Sequence, residues 1–141
     1  MTLIAILLAA AGLWISIYFT GVSYHLIPPN VKWIPQVCQL KEASCQLVIH
    51  TPRAKLFGIP NSVYGVALFT YLILFFVVGA IHELPPPLWW IAFVATGFAV
   101  IRSIYLAYSL IFITKVPCPL CFTSHVINSA LLIYLWFGRN I

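Results

Sequence analysis

The chain has 141 residues, of which 63% are hydrophobic and 6% are charged, and its mean hydropathy is +1.06. A soluble domain carries about 25% charged residues, so this composition excludes that class and predicts an integral membrane protein. The formal net charge of +5 is scattered, and the absence of a basic run interleaved with aromatic residues excludes a nucleic-acid-binding surface. The length is that of one domain, residues 1–141.

Four apolar runs are each long enough to cross the roughly 30 Å hydrocarbon layer as a helix. We predict spans at residues 3–20, 62–81, 88–113 and 119–137. The first run lacks a basic leader, so we expect it to be retained as a helix. Four spans place both termini on one side of the membrane and the 22–61 connection on the other. The predicted fold class is therefore an all-α integral membrane protein, a four-helix bundle with a long cysteine-bearing loop between helices 1 and 2.

The 22–61 connection contains five prolines and most of the polar side chains. Loops of this length usually carry function. Within it, residues 41–50 are predicted to form a short helix with an apolar side facing the membrane. Asn61 and Ser62 are predicted to cap the second span, because either side chain can accept a hydrogen bond from the first helical turn.

The four cysteines fall into two pairs on the loop side of the membrane, Cys38 with Cys45 and Cys118 with Cys121. The second pair is a C-P-L-C motif at the start of the fourth span. Unpaired N–H groups and the helix dipole favour thiolate there, and thiolate is the nucleophile of disulfide exchange. This position favours a redox-active pair. Stabilising disulfides, inert thiols and a zinc site built from all four cysteines remain open as alternatives.

Two polar residues fall inside the predicted spans. His125 lies four residues after Cys121, on the same helix face one turn deeper. It is either a buried histidine satisfied by a backbone carbonyl or a group that hydrogen-bonds or protonates a ligand. Arg102 lies near the middle of the third span, where an isolated charge is unfavourable. A functional charge and a structural pairing with backbone carbonyls are equally consistent with that position.

The basic residues lie mostly on the cysteine side of the membrane, namely Lys32, Lys41, Arg53, Lys55 and Lys115. The other side has only Arg139 and the N-terminal amine. The positive-inside rule therefore predicts a multi-pass membrane protein whose cysteine face is cytoplasmic. Disulfide chemistry usually takes place on the oxidising exterior, so charge bias and chemistry point in opposite directions.

Five sequence elements follow one another in a specific order. They are the Cys38/Cys45 pair, Val48 and Thr51 at the spacing Cys-x-x-Val-x-x-Ser/Thr, F-G-I-P-N-S-V-Y-G at 57–65, S-I-Y-L-A-Y at 103–108 and C-P-L-C at 118–121. Each element is short, but the ordered set covers almost the whole chain. In this order they resemble the vitamin K epoxide reductase family of membrane thiol oxidoreductases, in a stand-alone prokaryotic form.

The resemblance implies a four-helix bundle around a quinone pocket, with a quinone of the menaquinone or ubiquinone type as electron acceptor and no metal. Cys121 is then the cysteine that meets the quinone, and Cys118 exchanges with the loop pair through Cys45. Cys38 is the outer contact for a partner's dithiol. Asn61 matches the family asparagine that donates a hydrogen bond to a quinone carbonyl.

The chain departs from the family pattern at three points. His125 stands where animal members have a tyrosine, and it is predicted to contact the quinone. Thr51 stands where many members have a serine, and with Arg102 it is assigned a supporting role. The thioredoxin-like domain fused to many bacterial members is absent, which implies that the thiol partner is a separate thioredoxin-like protein.

The predicted function is an enzyme that transfers electrons from a partner dithiol through both cysteine pairs to a membrane quinone, promoting disulfide formation. The alternative is a non-catalytic membrane subunit or small carrier, with structural disulfides or a four-cysteine metal site. Carriers usually show internal repeats, and this sequence shows none. A second enzymatic alternative moves electrons toward thiols, and its cysteines should face both sides of the membrane.

Overall fold

The structure is a computed structural model that describes residues 2–24, 55, 56, 59–114 and 119–139. Within these residues the chain forms four α-helices: α1 (Thr2–Ser23), α2 (Asn61–Ile81), α3 (Pro86–Tyr108) and α4 (Pro119–Arg139). Two short features accompany them: a hairpin of β1 (Lys55–Leu56) and β2 (Ile59–Pro60) before α2, and a π-helical segment (Ser109–Thr114) after α3. The predicted all-α, four-helix fold class is confirmed.

Three of the helices are long and apolar enough to cross a membrane: Thr2–Gly21 of α1, α2 and α3. In α4 the described apolar stretch is shorter, Phe122–Gly138. The whole of α4 has 21 residues, which corresponds to about 31 Å of helix. Large apolar side chains are exposed along the outer surfaces of all four helices, for example Leu7, Leu74, Val94, Ile101 and Ile133. Such a surface suits lipid rather than water.

The helices pack as a ring in chain order. α1 packs against α2 and α4, and α3 packs against α4 and α2. A cleft of about 260 Å³ is lined by the first residue of α1, the end of α2, the start of α3 and the end of α4. These four helix ends define the cleft end of the bundle. The opposite end, the loop end, therefore gathers the end of α1, the start of α2, the end of α3 and the start of α4.

Small residues of α1 line its interface with α2, where Gly12 lies against Phe69 and Ser16 lies against Gly65. The small residues recur on one face of α1 and are all buried: Ala5, Ala9, Gly12 and Ser16. A methyl group at Gly12 would lie 2.5 Å from Cζ of Phe69, and one at Gly65 would lie 2.6 Å from Oγ of Ser16. Small residues let helix backbones approach closely, and in lipid this packing holds helices together.

A tight connection joins α2 to α3 at the cleft end. The backbone N–H of His82 donates to the carbonyl of Val78, and that of Leu88 donates to Pro85. Pro86 and Pro87 occupy the first turn of α3, where a missing N–H leaves no hydrogen bond unmade. The short connection makes α2 and α3 antiparallel neighbours.

The third helix differs from the single run predicted over residues 88–113. It is α-helical only to Tyr108 and continues as the π-helical segment. The backbone N–H of Ser109 is shared between the carbonyls of Leu106 and Tyr105, as is common at the end of an α-helix, and the π-helical segment begins with this residue. The hairpin before α2 was also not predicted. The short helix predicted over residues 41–50 lies outside the described residues.

Candidate active site

The candidate site lies at the loop end, where α2 and α4 both begin. Asn61 is the first residue of α2 and is half-buried. The hairpin immediately before it pairs Lys55 with Pro60 and so turns the chain into the helix. Tyr24, which follows α1, lies at this same end. The predicted quinone-binding asparagine and the start of the predicted redox helix are thus at one end of the molecule.

The C-P-L-C motif runs into the first turn of α4, which begins at Pro119. Cys121 is the third residue of this helix, close to its N-terminus, where the helix dipole stabilises negative charge. The positions of the four sulfur atoms are outside what the structure describes. Cys38, Cys45, Thr51 and Cys118 themselves lie outside the described residues, and their predicted roles stay predictions.

His125 lies one turn beyond Cys121 on α4, and both nitrogens of its imidazole are buried. The ring packs edge-on against Phe122, with ring centroids 6.3 Å apart and an interplanar angle of 86°. Among the described residues neither Nδ1 nor Nε2 has a hydrogen-bond partner. If His125 were only a buried structural histidine, a backbone carbonyl should accept a hydrogen bond from its ring. No described carbonyl does so. A buried imidazole in this state is unfavourable unless a partner binds it, which favours a ligand-binding role.

Behind His125 the structure shows a polar contact that the sequence analysis did not identify. Asn128 follows three residues later, is 9% exposed and donates a hydrogen bond from Nδ2 to Oγ of Ser103, over 3.1 Å. Ser103, on α3, is also buried. The carbonyl oxygen Oδ1 of Asn128 has no partner among the described residues. Cys121, His125 and Asn128 recur at i, i+4 and i+7, and this spacing was the signal available in the sequence.

Arg102 precedes Ser103 on α3 and is partly buried. Its Cζ atom lies 5.4 Å from the centroid of the Tyr105 ring, at cation–π distance. The sequence analysis weighed a functional charge against pairing with backbone carbonyls and did not foresee this aromatic contact. The ring of Tyr105, which is exposed on the surface of α3, therefore offers the guanidinium a favourable electrostatic contact.

No group of three or more His, Cys, Asp or Glu side chains comes together among the residues that the structure describes. The four-cysteine zinc alternative depends on sulfur positions outside those residues.

The helices and their outward apolar faces define an integral membrane bundle with a cysteine motif at the start of its fourth helix. The sequence model of the vitamin K epoxide reductase family matches residues 3–136 of the 141 residues. The chain therefore belongs to this family, and the resemblance noted from its motifs is confirmed. Membership makes it a membrane redox enzyme of the thiol/quinone oxidoreductase kind.

Proposed function

We propose that the protein oxidises a dithiol on a separate thioredoxin-like protein and reduces a membrane quinone, thereby promoting disulfide formation. The partner's two thiols lose two electrons and two protons and form a disulfide. The quinone gains two electrons and two protons and becomes a quinol. A lipid-soluble quinone reaches the bundle through the bilayer, and a water-soluble thiol protein reaches the loop end from the aqueous side.

The electron pair passes through both cysteine pairs by disulfide exchange. The partner reduces the Cys38–Cys45 disulfide, and the Cys45 thiolate then attacks Cys118 and releases Cys121. Cys38 attacks Cys45 in turn, so the loop disulfide reforms and both cysteines of the C-P-L-C motif are left as thiols. Oxidation of this pair by the quinone reforms Cys118–Cys121. Thiolate at Cys121 is favoured by its place in the first turn of α4.

The observation that carries the proposal is the buried, unsatisfied imidazole of His125. Its two nitrogens have no partner among the described residues, and it lies one turn from Cys121 on the same helix face. Neutral imidazole presents one donor and one acceptor, which suits a quinone oxygen during reduction. Asn61, at the start of α2, is proposed to donate a hydrogen bond to a quinone carbonyl. Thr51 and Arg102 are proposed to support the site.

The orientation of the site in the membrane is also part of the proposal. Five of the seven basic residues lie on the cysteine side, so the positive-inside rule places that side in the cytoplasm. The quinone is of the menaquinone or ubiquinone type, as membership of the family implies.

A series of single Cys→Ala variants tests the relay. We expect each to abolish thiol-dependent quinone reduction while the purified protein keeps its helical content. In Cys38→Ala the intermediate cannot resolve, so a Cys45–Cys118 disulfide should accumulate and appear as linked peptides in mass spectrometry. A protein with stoichiometric bound zinc and no accumulated disulfide would instead be a metal site.

A further inference from the structure

The contact between α3 and α4 leaves one amide atom without a partner among the described residues. Asn128 has two N–H donors and one carbonyl acceptor. Its Nδ2 is held by Oγ of Ser103, and both residues are buried. With Nδ2 donating to Ser103, the carbonyl oxygen Oδ1 points away from this contact and is available only as an acceptor. Among the described residues nothing donates to that oxygen.

An unsatisfied carbonyl oxygen in the interior of a membrane bundle is unfavourable, so it indicates a donor that the described residues do not supply. The neighbouring His125 is in the same condition at both ring nitrogens. Asn128 lies about 4.5 Å further along the axis of α4, at 1.5 Å per residue. Two unsatisfied polar side chains on one helix face, one turn apart, point to a ligand with hydrogen-bonding groups.

We propose that Asn128 is a binding residue for the quinol form of the substrate, with Oδ1 accepting a hydrogen bond from a quinol hydroxyl. This inference rests on the proposed function and assigns a residue to the same site. A quinone has carbonyl oxygens, which accept only, so it has nothing to offer Oδ1. A quinol has hydroxyl groups, which donate. Ser103 is a positioning residue, because its hydrogen bond keeps the amide nitrogen turned away from the ligand.

The proposal has a consequence for the direction of the reaction. A site that binds quinol more tightly than quinone makes reduction of the bound quinone more favourable by the same factor. Asn61, proposed to donate to a carbonyl, then recognises the oxidised form, and Asn128 recognises the reduced form. The two asparagines divide the recognition of substrate and product between α2 and α4.

The test measures equilibrium binding of both forms to the full chain, with Cys121→Ser in every sample so that no turnover occurs. The probes are decylubiquinone and decylubiquinol, under anaerobic conditions in one detergent. Asn128→Leu should weaken decylubiquinol binding by about fivefold, the equivalent of one neutral hydrogen bond. Binding of decylubiquinone should change by less than about twofold, because it makes no hydrogen bond to Oδ1.

Two further variants separate this role from a packing role. Ser103→Ala releases the amide, so the preference for decylubiquinol over decylubiquinone should fall even if Asn128→Leu does not fold. Thr96→Val is the matched control, because Thr96 is buried on α3 with its hydroxyl already donated to the carbonyl of Ala92. It should leave both affinities unchanged.

The outcomes distinguish this inference from the proposed function beneath it. Equal loss of both affinities in Asn128→Leu, or no loss of either, would overturn the assignment of Asn128 and leave the quinone reaction standing. Failure of the Cys121→Ser parent to bind either probe would overturn the proposed function and this inference together.

Discussion

The ring of Phe69 on α2 lies directly against the backbone of Gly12 on α1. A methyl group at Gly12 would lie 2.5 Å from Cζ and 2.6 Å from Cε1 of that ring, closer than real carbon contacts allow. Phe69 is 1% exposed, so the ring has no free space into which it can turn. The glycine is therefore what allows α1 and α2 to approach, and their approach holds α2, with Asn61 at its start, in place.

Substitution Gly12→Ala should destabilise the bundle. Overpacking of this kind typically costs about 1–3 kcal/mol, which outweighs the gain of about 1 kcal/mol in helix propensity. We expect the midpoint of thermal unfolding in detergent to fall by about 3–6 °C. Gly97→Ala is the matched control, because nothing lies within 4 Å of a methyl group there. Equal midpoints for the two variants would show that the contact with Phe69 does not limit packing.

Substitution His125→Phe should lower quinone turnover more than it lowers stability. The aromatic packing against Phe122 is retained, while both unsatisfied nitrogens are removed, so the unfolding midpoint should stay the same or rise. Turnover should fall by about tenfold or more, as expected when a group that hydrogen-bonds or protonates a reacting oxygen is lost. His125→Tyr is the control, since it restores a hydroxyl. Unchanged kinetics in His125→Phe would remove this residue from the site.

Substitution Asn61→Asp should separate ligand binding from the local structure at the start of α2. Aspartate favours a helix start as well as asparagine does, so the unfolding midpoint should hardly change. A carboxylate accepts hydrogen bonds but does not donate them, so the KM for quinone should rise by about fivefold or more. A KM equal to that of the wild type would show that Asn61 serves the helix alone.

The orientation predicted from the basic residues is tested by reporter fusions at Ile141. Four spans place this terminus on the side opposite the cysteines. An alkaline phosphatase fusion, which is active only outside the cytoplasm, should therefore be active, and a cytoplasmic reporter should be silent. The reverse pattern would place the cysteine face outside and show that the charge bias does not set the topology.

The helical architecture follows from the sequence because the bilayer allows few alternatives. A long apolar run must satisfy its own backbone hydrogen bonds in lipid, so it forms a helix, and four such runs predict a bundle. The change to π-helix at Ser109 could not be predicted in this way. The apolar run continues through residue 113, and no proline or glycine marks the end of the α-helix at Tyr108. The change from α-helix to π-helix therefore depends on packing within the folded bundle.

The candidate site was predictable where it depends on spacing along one helix. The interval of four residues after Cys121 was enough to place His125 on the same face. The contact between Asn128 and Ser103 joins two helices. Because the two residues are 25 positions apart in sequence, no local pattern predicts their hydrogen bond. The contact between Arg102 and the ring of Tyr105 differs, because these residues are three apart on one helix and their spacing was readable in the sequence, although the contact itself depends on side-chain conformation.

The most direct test of the central claim is quinol formation by the purified protein. Decylubiquinone is mixed with the protein and a reduced thioredoxin-like donor, and absorbance reports the quinol while thiol titration reports the donor. We expect one quinol for each donor disulfide formed, and no reaction with the Cys121→Ser variant. Quinol formation that is absent in the wild type, or equally fast in Cys121→Ser, would contradict an electron path from protein thiols to the quinone.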